Sequence, residues 1–202
     1  VGQNDDSLVA LQNGCICCTL KMDLVQQLND IINQKKFDYI VIEASGICEP
    51  APIAQTISTY PRMIPENIMK NGVARLDAIV TVVDALRMRD EFGLGDALQK
   101  PDMGEDDLES LLIQQIEFCN IILLNKASEI SPEELKHLKA VIKAIQPKAE
   151  IYECNYGDVE LDKILNTHLF NFDKVATSAR WIEAMEDDDD ELENEESGEA
   201  LE

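Results

Sequence analysis

Short apolar runs alternate with segments of helical spacing along most of this chain, and this alternation limits the folds open to it. The runs are almost continuously apolar, which is typical of strands buried on both faces of a parallel sheet. Between them, apolar residues recur every three or four positions, as on one face of a helix. The pattern predicts an α/β fold, a mostly parallel sheet with helices on both faces. The predicted strands are residues 8–11, 37–44, 76–83, 120–124 and 150–154, and the predicted helices include 21–34, 52–57, 108–117 and 161–165.

One further helix has a sequence signal for its start. Ser131 stands at the N-cap position, Pro132 at the first helical position and Glu134 at the capping-box position. The apolar face of this helix runs on to Ile145. By contrast, the prolines and glycine of residues 60–75 predict a loop. The Gly, Asp and Pro content of residues 90–107 predicts a mobile surface segment.

Three of the six cysteines stand within four residues, at Cys15, Cys17 and Cys18. Thiolates are soft ligands suited to zinc and copper(I), and Gly14 gives the backbone freedom to bend around one ion. The alternative is three small apolar side chains packed under a sheet, because free cysteine is readily buried. A thiol-exchange role is less favoured, because neighbouring cysteines form only strained disulfides. The spacing favours a metal site.

Polar residues follow several of the predicted strands. Glu43 ends one strand, Asp84 follows the next, and Asn125 and Lys126 follow a third. In open parallel sheets, ligands bind at the carboxyl ends of the strands. The common placement of these side chains therefore predicts a binding site at that edge of the sheet.

The runs at 13–20, 41–52, 82–85 and 123–126 together resemble the motifs of the CobW-like P-loop GTPases, and the resemblance covers residues 1–182. Members of that family are metallochaperones or metal-insertion GTPases. The resemblance implies that Cys15, Cys17 and Cys18 form the Cys-x-Cys-Cys metal motif between the two switch regions. Cys48 is a candidate fourth ligand, although we favour a buried structural role for it, as for Cys119 and Cys154.

The resemblance also assigns roles on the nucleotide side. Glu43 and Gly46 correspond to the Glu-x-x-Gly motif, where the carboxylate would hold a magnesium-bound water and the glycine would bring an N–H to the γ-phosphate. Asn125 and Lys126 correspond to the guanine-recognition loop, the first bonding the base and the second covering its plane. Ser128 stands where that motif normally has aspartate, so we expect weaker discrimination of GTP from ATP.

Two other departures from the family pattern bear on activity. No Gly-x-x-x-x-Gly-Lys-Ser/Thr phosphate loop occurs in the sequence. The chain is therefore expected to begin inside or after switch I, truncated at its N-terminus, and not to hydrolyse GTP by itself. The family's separate C-terminal domain is likewise expected to be missing from this chain.

Charge is concentrated at one end of this 202-residue chain. Residues 183–202 hold twelve of the forty acidic residues and no basic one, which predicts a disordered tail or linker. The preceding part is also net acidic, so nucleic acid is not an expected partner of either. No apolar run reaches the length of a membrane span, and no signal segment opens the chain. Six cysteines in a chain of this length indicate a reducing cytoplasm.

These features predict a partial CobW-like GTPase domain at residues 1–182, followed by the acidic segment. The predicted function is a GTP-dependent metal chaperone or metal-insertion protein. Its predicted ligands are GTP, Mg²⁺ and Zn²⁺, or another soft ion such as Co²⁺, and its partner is a client protein that receives the metal. Two alternatives remain open: a noncatalytic interaction domain derived from a GTPase, and a thiol redox protein.

Overall fold

The computed structural model describes residues 18–63, 72–99 and 108–175. The chain divides into two compact units. One unit comprises residues 43–51 and 76–182, and the other comprises residues 1–42, 52–75 and 183–202. The first of these contains every described strand and all five predicted nucleotide-binding residues.

Three parallel strands form the sheet, in the order β1 (Val80–Asp84), β2 (Ile121–Asn125) and β3 (Glu150–Glu153). Asp84 lies directly opposite Asn125 in the register of β1 and β2. The last residues of these two strands are therefore neighbours at the carboxyl edge of the sheet. The sequence prediction of a parallel α/β sheet is confirmed, although β1 begins four residues later than predicted.

The middle strand is buried on both faces. Ile122 and Leu124 belong to the large core, whereas Ile121 and Leu123 face a smaller cluster that includes Cys154. This alternation follows the two-residue period of a strand and explains why its sequence is apolar throughout. Helices α3 (Ala85–Asp90), α4 (Leu108–Glu117) and α5 (Pro132–Ile145) supply residues that pack in the large core.

Helix α5 begins as predicted. The Ser131 hydroxyl accepts from the Glu134 amide at 3.3 Å, and the Glu134 carboxylate accepts from the Ser131 amide at 2.7 Å. These two bonds complete a capping box and satisfy amides that the first turn leaves without helical partners.

The segment before β1 is joined to the segment after β3 through one buried carboxylate. Asp77 accepts from the Thr167 amide at 2.8 Å, from the His168 amide at 2.7 Å and from the Thr167 hydroxyl at 3.2 Å. Its backbone carbonyl also accepts from the Phe170 amide at 2.8 Å. Residues 167–170 are thus fixed at the amino end of the sheet.

In the other unit, α1 (Cys18–Gln34) buries Leu24, Val25 and Leu28, which share one helical face. Helix α2 (Pro50–Met63) is longer than the predicted 52–57, so the predicted loop is wrong for residues 60–63. It continues through Pro61 because the missing proline N–H removes only one bond close to the helix end.

Residues 37–44 contradict the sequence prediction most clearly. They form no strand, and all their large apolar side chains except Ile40 are exposed, with Val41 78% exposed. An apolar run becomes a buried strand only where neighbouring strands accept and donate its backbone hydrogen bonds. No described strand pairs with residues 37–44. The predicted strand at 8–11 lies outside the described residues.

The predicted mobile segment at 90–107 is also wrong where it is described. Residues Gly93–Gln99 form 3₁₀ turns interrupted by a kink at Leu94 and Gly95, whose φ angles are positive. Phe92 and Leu98 are buried in the large core. Gly95 permits this path, because its φ is +94° and a β-carbon there would lie 2.8 Å from Val141 Cγ1. Across the described residues, no helix is both long and apolar enough to cross a membrane.

Candidate functional site

The loops that follow β2 and β3 are joined at the carboxyl edge of the sheet. The Asn125 side-chain oxygen accepts from the Gly157 amide at 3.1 Å, and the Ala127 amide donates to the Cys154 carbonyl at 3.2 Å. Gly157 makes its bond from a backbone with φ of +69°, a conformation that glycine adopts without strain. Because the Asn125 oxygen is occupied, its two amide hydrogens remain for another partner.

Lys126 lies next to this junction with a left-handed backbone, φ 57°. Its ammonium group is 2.5 Å from an Asp84 carboxylate oxygen, so the Lys126 stem reaches from the end of β2 toward the end of β1. Asp84 also caps α3 by accepting from the Arg87 amide at 3.0 Å. Partial burial alone would raise the pKa of Asp84, but hydrogen bonds from Lys126 and from the Arg87 amide outweigh it and lower the pKa.

Ser128 is engaged by a residue that the sequence analysis missed. The Asn155 side-chain oxygen accepts from both the Ser128 hydroxyl, at 2.8 Å, and the Ser128 amide, at 3.1 Å. The hydroxyl hydrogen is therefore already donated, and only the oxygen lone pairs of Ser128 can meet a ligand. Asn155 follows the predicted strand 150–154, so the rule of strand ends that selected Asn125 would have found it.

The next residue, Tyr156, is fully exposed and has a φ of 56°. Lys126 is the first residue after β2 and Tyr156 the third after β3, and both are non-glycine residues with a left-handed backbone. Such conformations are uncommon for residues with side chains and recur at binding sites. Together the loops present amide donors, an alkyl stem and an aromatic ring at one edge.

Glu43 and Gly46 lie in an exposed segment of the same unit. Gly46 is in a turn closed by a 3.0 Å bond from the Cys48 amide to the Ser45 carbonyl. A β-carbon at Gly46 would have open space, and the Gly46 φ lies outside the left-handed region. Nothing among the described residues therefore requires glycine there, whereas the close approach of a ligand would. Among the described residues, no hydrogen bond or ion pair joins Glu43 to the loops after β2 and β3.

The predicted metal motif falls largely outside the described part of the chain. Cys15 and Cys17 lie in residues 1–17, and Cys18 begins α1 with its side chain not described. Among the side chains that are described, no group of three His, Cys, Asp or Glu is placed to hold a metal. The Cys-x-Cys-Cys site thus remains a prediction.

The other cysteines differ in exposure. Cys119 and Cys154 are buried, as predicted, whereas Cys48 is only partly buried, contrary to the expectation of a buried structural thiol. Burial raises the pKa of the Cys119 thiol to about 12. Partial burial and the adjacent Glu49 carboxylate raise the pKa of Cys48. Neither thiol is activated as a nucleophile, since that requires a lowered pKa.

Comparisons with known proteins identify relatives of this chain in sequence and in fold. A family model described as the CobW/HypB/UreG nucleotide-binding domain matches residues 1–153. The zinc-regulated GTPase metalloprotein activator 1 of Dictyostelium discoideum is 38% identical over 185 residues, covering 89% of this chain and 38% of that protein. Its namesake in Schizosaccharomyces pombe is 33% identical over 185 residues, covering 89% of this chain and 39% of that protein.

A solved structure is similar in fold. The crystal structure of Zn(II)-bound YjiA GTPase from E. coli matches with a TM-score of 0.51 and 23% identity, over 73% of this chain and 40% of that one. At this level of sequence identity, the similarity shows only that the two chains share a fold. The chain spans about two fifths of the length of the two activator proteins that it matches.

Proposed function

This chain belongs to the family of the CobW/HypB/UreG nucleotide-binding domain, and from that membership we propose that it is the nucleotide-binding part of a GTP-dependent zinc or metal chaperone. The observation that supports this most directly is the bond from the Gly157 amide to the Asn125 side-chain oxygen. Because the side-chain oxygen accepts this bond, the two amide hydrogens of Asn125 are the part of the side chain that is available to a ligand. Donors in this position suit the N7 and O6 acceptors of a guanine.

The base would lie between the loops that follow β2 and β3. Lys126 would cover one face of the base with its stem, which the ion pair to Asp84 holds in place. Ser128 would contribute only an acceptor, because its hydroxyl hydrogen is donated to Asn155. A neutral, single acceptor in place of a carboxylate would weaken discrimination of GTP from ATP by about 1.5–3 kcal/mol.

The phosphates would approach the segment that contains Glu43 and Gly46. The exposed Glu43 carboxylate offers the oxygen donors that Mg²⁺ prefers, so it fits a role in holding a magnesium-bound water. Magnesium would supply charge neutralisation at the β- and γ-phosphates. The open space at Gly46 would allow its backbone to come close to a phosphate oxygen.

Metal binding is assigned to Cys15, Cys17 and Cys18, with zinc as the cargo and a client protein as its recipient. Three thiolates leave a fourth position on a tetrahedral ion for an exchanging ligand. Nucleotide binding and hydrolysis would change the order of the switch segments and thereby the geometry of this motif. A coupling of about 1–3 kcal/mol between the two sites is typical of such systems.

The compartment and domain limits are part of the same proposal. Cys48, Cys119 and Cys154 are free thiols, which suits a reducing cytoplasm. We assign residues 1–182 to the nucleotide-binding domain and residues 183–202 to an acidic linker.

Zinc titration of the reduced 202-residue chain tests the metal assignment. In competition with a chromophoric chelator, the wild type should bind one Zn²⁺ and release protons as the thiols ionise. Cys17→Ser should abolish or strongly weaken binding, and the control Cys119→Ser should leave it intact. Equal loss in both variants, or loss in neither, would reject the metal site.

Nucleotide assays test the GTPase assignment. The 202-residue chain alone should show no magnesium-dependent GTP turnover, because the glycine-rich loop and its lysine are not in its sequence. In the full-length protein, Ser128→Asp should increase the preference for GTP over ATP. A thousandfold preference in the wild type that the substitution leaves unchanged would mean that another group, such as Glu129, reads the base.

A further inference from the structure

Gln115 on α4 holds the turn that contains Gly46. Its side-chain amide donates to the Gly46 carbonyl at 3.0 Å and to the Cys48 carbonyl at 3.1 Å. The turn itself is closed by one bond, from the Cys48 amide to the Ser45 carbonyl. A single side chain distant in sequence thus supplies two of the three hydrogen bonds that define this turn.

The backbone of Gln115 is fixed in its turn by the sheet. The hydroxyl of Thr81, the second residue of β1, donates to the Gln115 carbonyl at 2.7 Å. The next residue, Ile116, is fully buried in the large core. Gln115 on α4 therefore connects the Gly46 turn to the sheet and to the large core.

We propose that Gln115 is a positioning residue that places the Glu43–Gly46 segment for the nucleotide. This inference rests on the proposed function, because it assigns that segment to the γ-phosphate and magnesium. Gln115 has no contact with the nucleotide in this scheme and acts through the backbone of the turn. Both of its amide hydrogens are used on carbonyls, which fixes the direction of the Gly46–Ile47 peptide while Gly46 itself stays open to solvent.

The effect should appear in catalysis more than in binding. The loops after β2 and β3, which would hold the base, have no hydrogen bond to Gln115, so KM for GTP should change by less than about threefold. A misplacement of about 1 Å in a catalytic segment costs up to roughly 100-fold in rate. We therefore expect Gln115→Met, which keeps the shape of the side chain and removes its donors, to lower kcat about 10- to 100-fold.

Three variants of the full-length protein separate positioning from packing. Gln115→Met removes the donors, and Gln115→Lys restores donors on a side chain long enough to reach the turn. Gln114→Met is the matched control, because Gln114 precedes Gln115 on α4 and, within the described part of the chain, its side chain makes no hydrogen bond to the Gly46 turn. Steady-state GTP turnover and the thermal unfolding midpoint are measured for each, together with hydrogen exchange of a peptide that spans residues 43–50.

We expect Gln115→Met to have a lower kcat and faster hydrogen exchange across residues 43–50. Gln115→Lys should restore the wild-type kcat and exchange rate, and Gln114→Met should match the wild type in both. The proposal is overturned if Gln115→Met behaves like Gln114→Met, or if Gln115→Lys is as impaired as Gln115→Met, which would indicate packing. If Gln115→Met does not fold, recovery in Gln115→Lys still decides between these outcomes. A wild type without GTP turnover would reject the proposed function instead, while the exchange data would still decide whether Gln115 holds the turn.

Discussion

The bond between Asn155 and Ser128 yields a prediction with a calculable size. Asn155→Ala removes two neutral hydrogen bonds, those from the Ser128 amide and hydroxyl. Such bonds contribute about 0.5–1.5 kcal/mol each, and because Ser128 is exposed, water will replace part of the loss. We therefore expect Asn155→Ala to lower the free energy of unfolding by about 1–2 kcal/mol. Ser128→Ala removes only the hydroxyl bond and should cost about 0.5–1 kcal/mol.

The double variant isolates the interaction. Once Asn155 is alanine, truncating Ser128 should cost almost nothing further, so the coupling energy should be about 0.5–1 kcal/mol. Equilibrium urea unfolding of the four proteins measures it. Tyr156→Ala is the control, because this neighbouring side chain is fully exposed, and its change should stay within about 0.5 kcal/mol.

Purely additive effects of Asn155→Ala and Ser128→Ala would refute the reasoning, since independent side chains do not couple. An Asn155→Ala loss no larger than that of Tyr156→Ala would do the same. In either case, the Ser128 hydroxyl would be free to donate to a ligand, and the account of base recognition would have to change.

Three further predictions concern pH, packing and thiol chemistry. The pKa of Asp84 in the folded chain lies below its ordinary value of 3.8, so Asp84 stabilises the fold above that pH and this contribution disappears as the pH falls through the folded pKa. Asp84→Asn should therefore flatten the acid side of a stability curve measured by urea unfolding, and an unchanged acid side would contradict the assignment. Gly95→Ala should lower the free energy of unfolding by about 2–4 kcal/mol, because of the positive φ and the contact with Val141. Gly93→Ala carries only the backbone cost and should lower it by about 1 kcal/mol. Equal losses of the two variants in thermal unfolding would exclude the contact with Val141. Cys119 should resist iodoacetamide at pH 8 until urea unfolds the chain, and peptide mass spectrometry showing rapid labelling of the folded protein would argue against its burial.

Elements with a local cause could be predicted from the sequence. Helix α5 was predictable because Ser131, Pro132 and Glu134 act within one turn of each other. The middle strand was predictable because burial on both faces leaves a continuous apolar run. The position of Asn125 and Lys126 at the carboxyl edge of the sheet was predictable, because Asn125 ends that strand and Lys126 follows it.

Features that depend on distant partners could not be predicted in this way. Residues 37–44 have the composition of a buried strand, but pairing decides whether such a run is buried, and a pattern carries no information on pairing. Gly95 looked like a loop residue because its packing against Val141 is invisible in the sequence. Gln115 was missed because its partners lie 67 and 69 residues away in the chain. The strand-end rule would have selected Asn155, but not its bond to Ser128, which spans 27 residues.

The hydrogen bonds of Asp77 have a mechanical consequence. Asp77 lies three residues before β1, at the amino end of the sheet, whereas the candidate base loops lie at its carboxyl end. A strand of five residues separates these ends by roughly 17 Å. Tension applied to the chain after Phe170 would load the bonds at Asp77 first, before any strain reached β3 or the loop that follows it. The hydrogen bonds of Asp77 would thus bear a force applied beyond Phe170, and the candidate base loops would keep their geometry until those bonds broke.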